Sequence, residues 1–163
     1  MRICSLLPSA TEVIALLGLS DELVGISHEC DYPPSVRNVP IMVEPMIPPH
    51  GLASADIDQQ VRQLVASGQQ LYRLKDNLLR QARPDLVLSQ SLCHVCAVTP
   101  DQLHDALSSL PHQPTVLTLS PGTVEDVIDD VVRIGDAAGR SAEGHRLAAQ
   151  LRHRLEAVHT RVQ

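Results

Sequence analysis

The sequence predicts an α/β domain built on a mainly parallel sheet. Short apolar runs of three to five residues alternate with segments of helical periodicity along the chain. The first 34 residues read strand, helix, strand, loop, which is a parallel crossover unit. No internal repeat or low-complexity stretch interrupts the alternation.

Ile3 to Leu7 is an apolar run ended by Pro8. Ser9 then reads as the N-cap of a helix, with Glu12 three residues on completing a capping box. Val13, Leu16 and Leu17 give that helix an apolar face and Gly18 stops it. Leu23 to Ile26 is a second strand, and Ser27 to Pro34 an irregular loop. Residues 38 to 53 hold Pro40, Pro45, Pro48, Pro49 and Gly51, so no regular element is expected across them. Ile57, Val61, Leu64 and Val65 predict a helix over Asp56 to Ala66, with Ser54 as its cap. A shorter helix follows over Lys75 to Ala82, then the strand Leu86 to Leu88. Pro100 opens a helix at its favoured first position, and Thr115 to Leu119 is the last strand. From Thr123, the residues Val124, Val127, Ile128, Val131 and Ala138 form an apolar stripe. A further helix starts at Ser141, with Leu147, Leu151, Leu155, Val158 and Val162 in line. It is about 30 Å long at the rise of an α-helix, and the sequence expectation is that it continues past Gln163.

Composition narrows the function classes. The 163 residues suit one domain with a buried core, at 44% apolar and 20% charged. With two Tyr, no Phe and no Trp, that core is aliphatic, and a ligand site here has few flat rings for stacking. A net charge of −6, without a Lys/Arg stripe, argues against nucleic acid. No apolar run approaches the roughly 20 residues that span a bilayer. The N-terminus enters a strand within two residues and shows no leader pattern. Neither a Gly-rich phosphate loop nor a Gly-x-Ser-x-Gly elbow is present, so a hydrolase or transferase reading has little support.

Four cysteines are too few for a disulfide scaffold. Cys4 reads as a small core residue on the first strand. Cys93-His94-Val95-Cys96 has the pair spacing of zinc, cluster and redox sites. Joined by Cys30, with His28 or His94 as fourth ligand, it is a candidate tetrahedral site for zinc or an iron–sulfur cluster. A reversible Cys93–Cys96 disulfide and unreactive loop thiols stay open beside it. Asp31 to Pro34 reads equally as a stiffened turn or as a loop offering Tyr32 to a ligand. The N–H groups near Ser9 would attract an anionic ligand group.

Ser5 to Glu12, then Leu23-Val24-Gly25, Asp31-Tyr32-Pro33 and Arg83-Pro84-Asp85-Leu86-Val87 occur in that order. This set resembles the amino-terminal half of the periplasmic-binding-protein family for cobalamin and ferric siderophores. The resemblance implies a Rossmann-like ligand-binding lobe over residues 1–122. Residues 123–163 would then be a helical segment holding the start of a long inter-lobe helix, with the second lobe absent. It implies a binding protein without catalytic residues, which takes cobalamin or another metal chelate and serves ABC-type uptake with a membrane permease. An acidic residue of the family that meets the permease matches Asn77, with Asp76 beside it. Pro8, Ser9, His28, Glu29, Tyr32 and Gln90 fall on segments that face the family's cleft. His or thiolate groups there could reach the cobalt of a bound corrinoid. The family's location is extracytoplasmic, whereas the missing leader pattern leaves the cytoplasm open. The runner-up is a cytoplasmic metal-thiolate or thiol-redox protein on the same fold, working through Cys30, Cys93 and Cys96. Were residues 1–163 the whole chain, the 141–163 helix would pair with its copy in a homodimer.

Overall fold

A computed structural model describes residues 1–48, 51–91 and 98–162. The chain runs β1 (Ile3–Ser5), α1 (Pro8–Leu16), β2 (Leu23–Ser27), β3 (Ile41–Pro45), α2 (Ser54–Ala66), β4 (Tyr72–Leu74), α3 (Asp76–Ala82), β5 (Leu86–Gln90), α4 (Pro100–Ser108), β6 (Thr115–Leu119), α5 (Val124–Ala137) and α6 (Ser141–Val162). The strands form a single sheet in the order β4-β3-β2-β1-β5-β6. Every neighbouring pair is parallel except β3 with β4. The predicted α/β class with a mainly parallel, Rossmann-like sheet is therefore present, and it ends in a long helix.

Alternation along the central strands decides what covers each face. Ile3, Leu86 and Leu88 join Ile14 of α1 and Ile134 of α5 in one core. Cys4 and Val87 point the other way, to Met42, Leu79 of α3 and Leu103 of α4. Burial on both faces explains why these strands read as near-continuous apolar runs. Cys4 is fully buried, as expected of a core thiol.

Several local expectations are corrected. The cap of α1 is Leu7, with Pro8 at the first turn and no side-chain cap bond, so Ser9 lies inside the helix and is exposed. Proline explains the shift: its fixed φ suits the first helical position, where its missing N–H costs nothing. Thr11, Ala10 and Ile14 form the buried face of α1, whereas Leu16 is exposed. Ser54 likewise falls inside α2, which is capped by Ala53 without a side-chain bond. A strand, β3, occupies part of the proline-rich stretch. It pairs through Ile41 and Val43 to β2 and ends on Pro45, so neither Pro40 nor Pro45 interrupts its middle. The three-residue β4 was too short to show in the sequence and is held antiparallel to β3.

Thr123 caps α5 through a reciprocal box with Asp126, and Thr99 caps α4 in the same way with Gln102. α6 returns along α5 at close range. A Cβ on Gly135 would lie 2.9 Å from the Gly144 Cα. The apolar stripe of α6 divides: Leu147 and Leu151 are half-buried, while Leu155 and Val158 are exposed.

Candidate functional site

The strand order reverses at β1. The chain first builds β2 and β3 on one side of it, then returns to place β5 on the other. In open α/β sheets, ligands bind outside the carboxyl ends of the strands at such a switch point. Two of the loops nominated from the sequence meet there. β1 leads into Pro8 and Ser9, both exposed at the start of α1, and β5 ends at the half-buried Gln90. The Leu6 N–H donates to the Leu88 carbonyl at 2.9 Å and keeps the two strand ends together. Cys93, His94 and Cys96, in the segment after β5, lie outside the described residues.

The third loop leaves β2 on the same edge of the sheet and carries His28 to Tyr32. His28 Nε2 is 3.2 Å from Glu29 Oε1, and Nδ1 is 3.4 Å from Ser27 Oγ. Its ring lies against that of Tyr72, with centroids 5.4 Å apart. Glu29 and Asp31 are exposed on this rim, and Arg37 donates from Nε to the Asp31 carbonyl at 3.3 Å. Tyr32 is 61% exposed. The Tyr72 ring and the half-buried side chains of α2 behind it were not singled out by the sequence reading. The one signal available was that Tyr72 is the second of only two aromatic rings.

Cys30 sits differently from its loop neighbours. It is buried in the core under α1, with Sγ 3.1 Å from Thr11 Oγ1. Thr11 Oγ1 is 2.8 Å from Ser5 Oγ, which is 3.1 Å from the Leu7 carbonyl. Each hydroxyl has one proton, so one direction satisfies the whole chain: Cys30 donates to Thr11, Thr11 to Ser5, and Ser5 to Leu7. Burial pushes the Cys30 thiol above its ordinary value, against an opposing pull from the Thr11 hydrogen bond. The group is placed to pin the β2 loop beneath α1 as a protonated thiol. Among the described residues, no cluster of three or more His, Cys, Asp or Glu side chains could hold a metal ion, and no helix is long and apolar enough to cross a membrane.

No family model and no curated protein matches this sequence. Solved structures do match its fold. The periplasmic heme-binding protein RhuT of Roseiflexus sp. RS-1, in apo form, superposes with a TM-score of 0.67 at 23% identity, over 96% of this chain and 48% of its own. The likeness is one of fold. A possible iron-binding periplasmic solute-binding protein of Staphylococcus epidermidis gives 0.69 at 22% identity, over 99% and 51%. The periplasmic vitamin B12 binding protein BtuF of Vibrio cholerae gives 0.63 at 22%, over 98% and 50%. The chain thus spans about half the length of each of these structures. At these identities the likeness shows the fold, and it agrees with the resemblance read from the ordered sequence motifs.

Proposed function

We propose that this chain is a ligand-binding lobe of a substrate-binding protein for a metal chelate, with a corrinoid such as cobalamin as its ligand and ABC-type uptake as its setting. The observation that carries the reading is the match of nearly the whole chain to periplasmic binding proteins whose names give heme, vitamin B12 and iron as ligands. The convergence of the β1, β2 and β5 loops on the edge of the sheet where such folds bind ligands supports it further. Pro8, Ser9, His28, Glu29, Tyr32 and Gln90 are the residues proposed to meet the ligand. A corrinoid is favoured over heme because Glu29 and Asp31 put two carboxylates on the rim, where the propionates of heme would be repelled. The molecule is read as a binder that hands its ligand to a permease, and not as an enzyme. Its place is then outside the cytoplasmic membrane.

The thiol-redox alternative gains nothing from Cys30, whose buried, protonated thiol is neither a ready nucleophile nor a ready metal ligand. The test is a titration of cyanocobalamin and of hemin into the reduced protein, followed by absorbance and calorimetry. Saturable cobalamin binding that weakens in Tyr32→Ala supports the reading. Binding of hemin alone would replace the ligand, and binding of neither would remove the proposal.

A further inference from the structure

The helix α2 has an apolar side but no fully buried residue. Its Ile57 and Val61 face Ile47, Leu71 and the rings of Tyr72 and His28 across a niche of about 180 Å³. An amphipathic helix ordinarily closes its apolar side against its neighbour, so a space left there is unfilled contact area. The niche lies beside the carboxyl end of β3 and the loop from β2, on the same rim as the proposed ligand site. It shares His28 and Glu29 with that site.

Size and lining set what it can take. A cavity of about 150 Å³ lined by aliphatic side chains accommodates a benzene ring, so this niche holds one ring-sized group and is far too small for a macrocycle. Its walls are largely aliphatic, and Tyr72, one of the chain's two tyrosines, offers a ring for stacking. The polar groups, His28 and Glu29, stand together in the lining, where a heterocyclic nitrogen could find a partner.

We infer that the niche between α2 and Tyr72 is a subsite for a pendant ring of the ligand: the chelate carries a ring-sized, largely apolar heterocyclic arm that inserts there while its metal-bearing plane lies over the β1, β2 and β5 loops. This rests on the metal-chelate reading above and goes further, because it selects among chelates by what protrudes from them. A flat chelate without an arm leaves the niche empty.

Two corrinoids separate the possibilities: cyanocobalamin, which carries a benzimidazole arm, and dicyanocobinamide, which lacks it. The wild-type protein is expected to bind the first on the order of tenfold or more tightly, the increment of burying one ring. Val61→Phe fills the niche and should remove that preference, weakening cobalamin while leaving cobinamide unchanged. Ile57→Phe repeats the test from the next turn of α2, and circular dichroism with a melting curve shows that each variant is folded. Because the protein has no Trp and only Tyr32 and Tyr72, Tyr32→Phe leaves Tyr72 as the sole emitter, and its fluorescence should be quenched by the bound arm. Equal affinity for both corrinoids, or equal loss of both in the folded Phe variants, overturns the subsite and leaves the metal-chelate reading standing. Failure of the wild-type protein to bind either corrinoid sinks the subsite, and only if hemin also fails to bind does the metal-chelate reading fall with it.

Discussion

Thr11 shows how one hydroxyl can organise a loop. It sits on the buried face of α1 and joins the β1 strand end, through Ser5, to the β2 loop, through Cys30. Replacing it by Val keeps the shape but leaves the buried Cys30 thiol without its acceptor and takes the donor away from Ser5 Oγ. The expected cost is about 1–3 kcal/mol, read as a lower urea midpoint, and the His28–Tyr32 loop should lose amide-exchange protection. An unchanged midpoint would mean that the hydroxyl chain adds nothing. Cys4 gives a pH dependence of definite sign. Burial pushes its thiol up from 9.0 to about 12. The folded state then holds the proton more tightly than the unfolded state does. Its contribution is fully present below 9.0 and is lost as pH rises toward 12. Wild-type stability should therefore fall more steeply than that of Cys4→Ala between about pH 8 and about pH 10.5; parallel pH profiles would contradict this. The sequence revealed Cys4 as a core residue because it alternates on a strand. It did not reveal that Cys30 turns inward while its loop neighbours face out, since a loop has no periodicity from which to read a side chain's direction.

At the scale of the element, regular periodicity was legible and local endings were not. The helices α3 to α6 and the strands β1, β2, β5 and β6 follow from spacing and from Pro and Gly punctuation. The start of α1 differs from the sequence pattern because a Ser three residues before a Glu looks like a capping box, whereas the proline just before it takes the first helical position. β3 was hidden by its flanking prolines, and β4 by its length. The contact of α5 with α6 was also beyond reach, because it depends on two glycines nine residues apart meeting in space. A Cβ at Gly135 would come 3.0 Å from the Arg140 carbonyl oxygen as well as close to Gly144. Both neighbours are backbone, and neither can yield without moving a helix. Gly135→Ala should cost on the order of 1–3 kcal/mol in urea denaturation, although Ala favours helices. A stabilised variant would show that the helices slide apart freely. Thr123→Ala should cost about 1 kcal/mol through loss of the α5 cap. A separate hydrogen bond from the Thr123 side chain, with the backbone N–H groups of Gly122 and Thr123, holds the Asp126 carboxyl below its ordinary value. This part of the cap's stability is present at neutral pH and fades as pH falls through that lowered value. A Thr123→Ala variant whose acid profile matches the wild type would contradict the assignment.

For the whole molecule, the topology determines where function can lie. The reversal at β1 brings the β1 and β5 strand ends side by side, and the neighbouring β2 contributes the loop that carries His28, Glu29 and Tyr32. The loops themselves were legible, because parallel strands put the loops that follow them on one edge of the sheet, whereas the strand order that makes them neighbours was not. The niche under α2 was not legible, because it is a gap between elements and leaves no pattern in the chain. A metal chelate is proposed to bind at this one edge. The most direct measurement is the set of backbone amide chemical shifts as cyanocobalamin is added to isotope-labelled protein. Saturable changes are expected at Ser9, Ser27 to Tyr32, Tyr72 and Gln90, with Arg2, Asp85 and the amino-terminal half of α5 unmoved. Changes centred on the opposite edge of the sheet, or none at a saturating concentration, would contradict it.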